Sequence, residues 1–170
     1  LYEQVLTDRI RVLGEDHPDT LTSRNNLAYA YASAGRLTEA ITLYEQVLTD
    51  STRILGEDHP DTLASRNNLA FAYQRAGRLK KAIDLFEQVL TDRTRILGED
   101  HPDTLTSHNN LAGAYASAGR LEEAIGLLEG LLANCLRVLG PDHPLTEIVY
   151  KNLEATKREL EHREDDSPTE

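Results

Sequence analysis

Tryptophan and methionine are absent from this chain of 170 residues, and phenylalanine occurs only twice. There is therefore no Met-rich adaptable surface and no Trp anchor. Aromatics make up 5% of the chain and hydrophobic residues 39%, which suits thin burial between neighbouring elements better than one large core. A single cysteine, Cys135, excludes an intrachain disulfide and fits a reducing, cytoplasmic setting. No apolar run approaches the roughly 18 residues of a membrane span. Basic charge is also short: 18 Lys and Arg stand against 29 Asp and Glu, a net charge of −11. That argues against a nucleic-acid partner, which needs a basic footprint, and against an anionic membrane surface. The acids read as a solvated shell that favours solubility and attracts basic partners.

What the chain does have is a period. GEDHPDTL begins at Gly14, Gly56 and Gly98, each copy 42 residues after the last, and an altered copy, GPDHPLTE, begins at Gly140. Self-similarity at 20 to 50 residues marks an array in which each unit is buried by its neighbours, and about three units are needed for stability. The expected divisions are 1–13 (a partial repeat), 14–55, 56–97 and 98–139 (three full repeats), 140–162 (a capping helix) and 163–170 (a disordered tail). The chain starts at Leu1, inside what reads as a helix, so a fragment of something longer is expected.

Within residues 14–55, Gly14 reads as the stop of a preceding helix and Asp16 as the N-cap of the next, with Pro18 in its first turn. Helix A is expected over 18–33, with Leu21, Leu27, Ala28, Tyr31 and Ala34 on one stripe. Ala34-Gly35-Arg36 is a tight turn. Helix B follows over 37–55, with Leu37, Ala40, Ile41, Tyr44, Val47, Leu48 and Leu55 facing inward. The same order recurs near 60–75 and 79–97, and near 102–117 and 121–139.

Asn-Leu-Ala-x-x-Tyr, then Ala-Gly-Arg-Leu, then Glu-Ala-Ile, resembles the tetratricopeptide repeat. The 42-residue length and the Leu-Gly-Glu-Asp-His-Pro-Asp linker resemble the kinesin light chain type. The resemblance covers nearly the whole chain. It implies an all-α fold, a right-handed superhelical solenoid of antiparallel helix pairs, with helix A lining the concave wall. It places Thr22, Asn25, Asn26, Tyr29, Ala32 and Ser33 on the groove side. The matching sets are Ala64, Asn67, Asn68, Phe71, Gln74 and Arg75, and Thr106, Asn109, Asn110, Gly113, Ala116 and Ser117. Positions 22, 26, 29 and 33 form a helical stripe of their own.

Repeats one and two differ at nine positions. Within helix A these are 22/64, 29/71, 32/74 and 33/75, all on the expected groove stripe. Free drift of exposed positions explains this, and so does a different sub-pocket in each repeat. The Asn pairs do not vary. In the resembled family an Asn at the position of Asn26, Asn68 and Asn110 holds the backbone of an extended peptide. The other reading is that one Asn of each pair bonds a neighbouring helix. Tyr29 and Phe71 are candidate apolar anchors, and Arg75 is a candidate partner for an acidic peptide group. A carboxylate clamp is not expected, because Thr22, Ala64 and Thr106 stand where clamping members of the family carry Lys or Arg. Arg24, Arg66 and His108 replace a bulky aromatic, and their stems are expected to pack while their heads reach solvent.

His17, His59, His101 and His143 are too far apart to share a metal: positions two packed helices on are roughly 15–20 Å apart. They read as loop residues near helix starts. Cys135, at the position of Ser51 and Arg93, reads as a packing or surface residue rather than a nucleophile. No cofactor is implied. The expected function is a non-enzymatic scaffold binding an extended peptide or protein segment on the helix A face. The peptide-binding candidates are Asn25, Asn26, Tyr29, Asn67, Asn68, Phe71, Gln74, Arg75, Asn109 and Asn110. The alternative is a spacer or sensor segment that self-associates through the apolar N-terminal edge of Leu1, Val5 and Leu6.

Overall fold

The computed structural model describes residues 1–165. Eight helices account for their regular structure: α1 Tyr2–Leu13, α2 Pro18–Ser33, α3 Leu37–Leu55, α4 Pro60–Arg75, α5 Leu79–Leu97, α6 Pro102–Ser117, α7 Leu121–Val138 and α8 Pro144–Asp165. No strand occurs among the described residues. The chain divides into two compact units, Leu1–Leu85 and Phe86–Glu170, and α5 contributes to each. In the first unit α1 packs on α2, α2 on α3 and α3 on α4; in the second, α6 packs on α7 and α7 on α8.

Local chemistry sets the boundaries. α2, α4, α6 and α8 each begin at a proline, whose missing N–H would be unpaired there in any case. The residue before it is the N-cap, and it is a histidine rather than the expected Asp16. The extended backbone of His17 aims its Nδ1 at the Asp19 N–H, 3.1 Å away. His59 accepts from Asp61 and His101 from Asp103 in the same way, and His143 from Leu145. The linker histidines are thus helix caps. Asp16 turns instead to Arg53 near the end of α3, at 2.6 Å, and Asp100 makes the same pair with Arg137. These pairs are solvent-exposed and contribute little. Replacing His59 with Ala is expected to cost about 1 kcal/mol in thermal or denaturant unfolding, and His59→Asn to retain most of it.

The turn after α4 needs glycine. Gly77 sits at φ 71°, in the left-handed region that other residues rarely enter. Its N–H reaches the Gln74 carbonyl at 3.0 Å, and the Arg78 N–H reaches the Tyr73 carbonyl at 2.9 Å. This paired arrangement satisfies the last helical carbonyls. With only three residues between helices, α3 must run back along α2, which makes the antiparallel pair.

The B-type helices are one-sided: Ala40, Ile41, Tyr44 and Val47 are buried on α3, while Leu37, Leu48 and Leu55 are half-buried. The A-type helices are not one-sided, because they are enclosed from more than one direction. On α2, Thr20, Ser23 and Ala32 are buried along with Leu21, Leu27 and Ala28. Thr20 resolves its polarity by donating to the Gly14 carbonyl at 2.8 Å. Of the expected stripe, Tyr31 is half-buried and Ala34 exposed. In the second unit the core gathers Leu105 and Ala112 from α6, Leu128, Leu131 and Cys135 from α7, and Val149 and Leu153 from α8. Cys135 is a packing residue, and burial pushes its thiol up, away from the thiolate a nucleophile requires.

The last helix runs further than expected. α8 continues to Asp165, past the 162 at which the capping helix was expected to stop, so residues 163–165 are helical. An Arg163–Glu159 ion pair at 2.7 Å, one turn apart, accompanies the extension. The rest of the expected disordered tail, 166–170, lies outside the described residues.

Candidate functional site

In the first unit, the expected residues of α2 and α4 differ in exposure. Asn26 is exposed, and Asn25, Asn67 and Asn68 are half-buried. The Asn68 side chain donates to Asn25 Oδ1 at 3.2 Å. The second Asn of one helix thus ties itself to the first Asn of the helix before it. The second unit repeats this bond: Asn152 on α8 donates to Asn109 on α6 at 2.9 Å. One amide N–H is used in each case. The Asn68 carbonyl and its remaining N–H stay available, as does the whole Asn26 amide. The two readings of the Asn pairs are therefore compatible, since a single amide can hold a neighbour and still offer an acceptor and a donor.

Tyr29 is 66% exposed and Phe71 is 39% exposed, a large apolar outlay on helices whose other sides are packed. Arg75, at the last turn of α4, is exposed. Between the helices lies a cleft of about 120 Å³. Thr22 and Asn25 line it from α2, Ala64 and Ser65 from α4, and Val47 and Ser51 from α3. The small residues at 22 and 64 help to leave this cleft open.

One member of the groove stripe is misplaced. Ala32 is 5% exposed and belongs to the packing, not to the open face. Its counterparts Gln74 and Ala116 are half-buried. The 32/74 difference is a change in a packed position, enclosed because the A-type helix has a neighbour on that flank. On α6, Asn109 and Asn110 are half-buried and Gly113 exposed. No aromatic stands at 113, so the face of α6 lacks the exposed aromatics of α2 and α4.

The arginine that replaces the bulky aromatic behaves differently from expectation. Arg24 does not send its head to solvent: Nη1 meets Asp50 at 2.7 Å, and the side chain is only 13% exposed. In the third repeat both partners change together, to His108 and Asn134. Both are half-buried, and burial holds His108 below the ordinary imidazole range, the nearby Glu99 opposing. Since the folded chain binds this proton less readily than the unfolded one, the neutral ring is favoured and stability falls on acidification through that window.

Sequence reasoning missed two features. The first is Asn152, which lies 42 residues after Asn110; the degenerate fourth copy hid a signal that the period carries. The second is a repeated lock. Tyr31 donates to Glu3 at 2.7 Å, Tyr73 to Glu45 at 2.5 Å and Tyr115 to Glu87 at 2.8 Å. Each joins an A-type helix to the preceding B-type helix. Arg36 covers the Tyr31 ring at 4.1 Å and Arg120 covers Tyr115 at 4.2 Å. Burial and the bond to Glu45 push the Tyr73 hydroxyl up to about 12. A constant spacing of 28 residues was the available signal.

The family model for the tetratricopeptide repeat matches residues 1–51, 24–95, 61–129 and 103–165. The chain belongs to the tetratricopeptide repeat family. Its repeats are of the kinesin light chain-like type. A solved protein of Podosopora anserina, described as a candidate kinesin light chain with nearly identical TPR-like repeats, is 35% identical with a TM-score of 0.81. That match covers 96% of this chain and 78% of the other. Two further structures share the fold. BtubC (BKLC) from P. vanneervenii is 24% identical with a TM-score of 0.72, covering 99% of this chain and 74% of its own. The Sgt2 TPR domain from Aspergillus fumigatus is 19% identical with a TM-score of 0.61, covering 91% and 88%. A comparison with curated proteins gives no match. Tetratricopeptide repeats generally serve as protein-interaction scaffolds. No helix among the described residues is long and apolar enough to cross a membrane.

Proposed function

We propose that this tetratricopeptide repeat chain is a non-enzymatic scaffold that holds an extended peptide on the face of α2 and α4. Asn26 and Asn68 supply backbone hydrogen bonds, Tyr29 and Phe71 the apolar anchors, and Arg75 a charge. Asn25 and Asn67 frame the row, and Gln74 borders it. Asn109 and Asn110 make a patch of the same amide chemistry on α6. The observation that carries the reading is the exposure of two aromatics beside amides with unspent hydrogen-bonding capacity. An exposed apolar surface beside convergent polar groups is what a recognition site requires.

The test is binding of a display-selected peptide to a chain with Asn26, Asn68 and Asn110 all changed to Ala. Neutral hydrogen bonds contribute about 0.5–1.5 kcal/mol each, so affinity should fall by about tenfold or more. The fold should survive, since Asn26 is exposed and Asn68 only half-buried. Unchanged affinity in a folded variant contradicts the reading.

A further inference from the structure

The B-type helices differ at one position that faces the start of the next A-type helix. It holds Arg9 on α1, Ser51 on α3, Arg93 on α5 and Cys135 on α7. In the second unit Arg93 is half-buried. Its Nη1 donates to the Asp103 carbonyl at 3.1 Å and to Ser107 Oγ at 2.9 Å. Ser107 itself donates to the Asp103 carbonyl at 3.0 Å, so its oxygen is left as the acceptor for the guanidinium. In the first unit Arg9 donates to the Asp19 carbonyl at 2.6 Å, the equivalent bond one helix pair after the start.

The remaining two positions differ from each other. Where Cys135 stands, the polar acceptors have gone as well. Leu145 and Val149 take the places of Asp103 and Ser107, and all three residues pack into the apolar core. Where Ser51 stands, the acceptors remain. Asp61 and Ser65 take those places, and Ser65 Oγ donates to the Asp61 carbonyl at 2.8 Å, as Ser107 does to Asp103. Ser51, Asp61 and Ser65 all line the cleft of about 120 Å³ between α2, α3 and α4. A single water needs about 10–15 Å³ of such space, so the cleft has room for a guanidinium head. Leu21, Val47 and Leu55 give it apolar wall for an aliphatic stem. Thr22 and Asp61, also in the lining, are exposed, which leaves the cleft open to solvent. The Asp61 carboxylate and the net charge of −11 both favour a cation there.

We propose that this cleft receives the arginine side chain of a bound peptide, its guanidinium donating to the Asp61 carbonyl and Ser65 Oγ as Arg93 does to Asp103 and Ser107. This rests on the peptide-binding reading, and Asn25, which frames the amide row, also lines the cleft. A planar head with several fixed N–H donors suits two fixed acceptors better than the point charge of lysine.

Acetyl-arginine amide, its neutral isostere acetyl-citrulline amide and free arginine are titrated separately into the labelled full chain, with the backbone amides of Ala64 and Ser65 followed by NMR. Saturable shifts are expected for acetyl-arginine amide, with binding about tenfold or more tighter than for the citrulline compound, because charged donors make the stronger hydrogen bonds. Ser51→Arg reproduces the residue at positions 9 and 93, lets the chain fill the cleft itself, and should abolish the shifts. Ser65→Ala removes one acceptor and should weaken binding about tenfold. Either variant titrating like the wild type overturns the proposal. So does a wild type without saturable shifts, or one that binds the citrulline compound equally well. Tighter binding of free arginine than of the capped residue overturns the peptide as the source. The titration uses no peptide, so the two readings fail separately. A display-selected peptide that binds equally to wild type and Ser51→Arg removes the sub-site and leaves the groove. Binding of the capped arginine that Ser51→Arg abolishes, in a chain for which no peptide can be selected, supports the sub-site and removes the groove.

Discussion

Leu128→Ala is expected to destabilise the second unit by about 2–5 kcal/mol, the usual range for emptying a packed leucine site. Leu128 is 2% exposed and sits among residues of three helices: Leu105 from α6, Cys135 from α7, and Val149 and Leu153 from α8. Its loss leaves a cavity that no single helix can close. In a repeat array each helix pair is stabilised by its neighbours, so the deficit should appear as local opening rather than a uniform weakening. Amides of α6, α7 and α8 should exchange faster, and the denaturant midpoint should fall. Glu122→Ala, on the exposed side of α7, should stay within about 0.5 kcal/mol of wild type. A Leu128→Ala chain less than about 1 kcal/mol weaker would mean that this cluster is not the core of the unit.

The second large effect concerns binding. Tyr29→Ala combined with Phe71→Ala should weaken a selected peptide by about 2 kcal/mol or more, roughly thirtyfold, because aromatic anchors dominate recognition surfaces. Folding should change less than affinity: Tyr29 is 66% and Phe71 39% exposed, and alanine is the better helix former. That separation is the point of the experiment. A residue whose loss costs affinity without stability belongs to the binding face, and one whose loss costs stability first belongs to the frame. Titration calorimetry with parallel thermal unfolding measures both. Equal affinity in the double variant would move the anchors elsewhere.

Much of the fold was legible because its signals are local and repeated. Pro18 opens a helix, Gly35 closes one, and the 42-residue period says that whatever holds once holds again. The errors came where a residue's role depends on a distant neighbour. Asp16 is a good N-cap in isolation, but the residue directly before the proline is His17, and its ring nitrogen falls on the free N–H. Ala32 shares a helical stripe with exposed Tyr29 and Ser33, yet it is packed because an A-type helix has neighbours on several sides. Arg24 reads as a solvent-seeking cation until Asp50, on the partner helix, is placed beside it. The Tyr31–Glu3 bond joins residues 28 apart with no motif between them.

The candidate face was legible in a different way. The Asn pairs stood out because they stay constant while their neighbours vary. Sequence alone offered neighbour-bonding and ligand-bonding as alternatives. The geometry of Asn68 and Asn25 shows the neighbour bond, made with one N–H of the Asn68 amide.

Chemical-shift mapping of a display-selected peptide on the labelled full chain tests the central claim most directly. Saturating shifts should fall on Asn26, Tyr29, Asn68, Phe71 and Arg75, along one side of α2 and α4, while Thr42, Gln46 and Thr49 on the exposed side of α3 stay still. Shifts confined to α3, with α2 and α4 unmoved, would contradict the account.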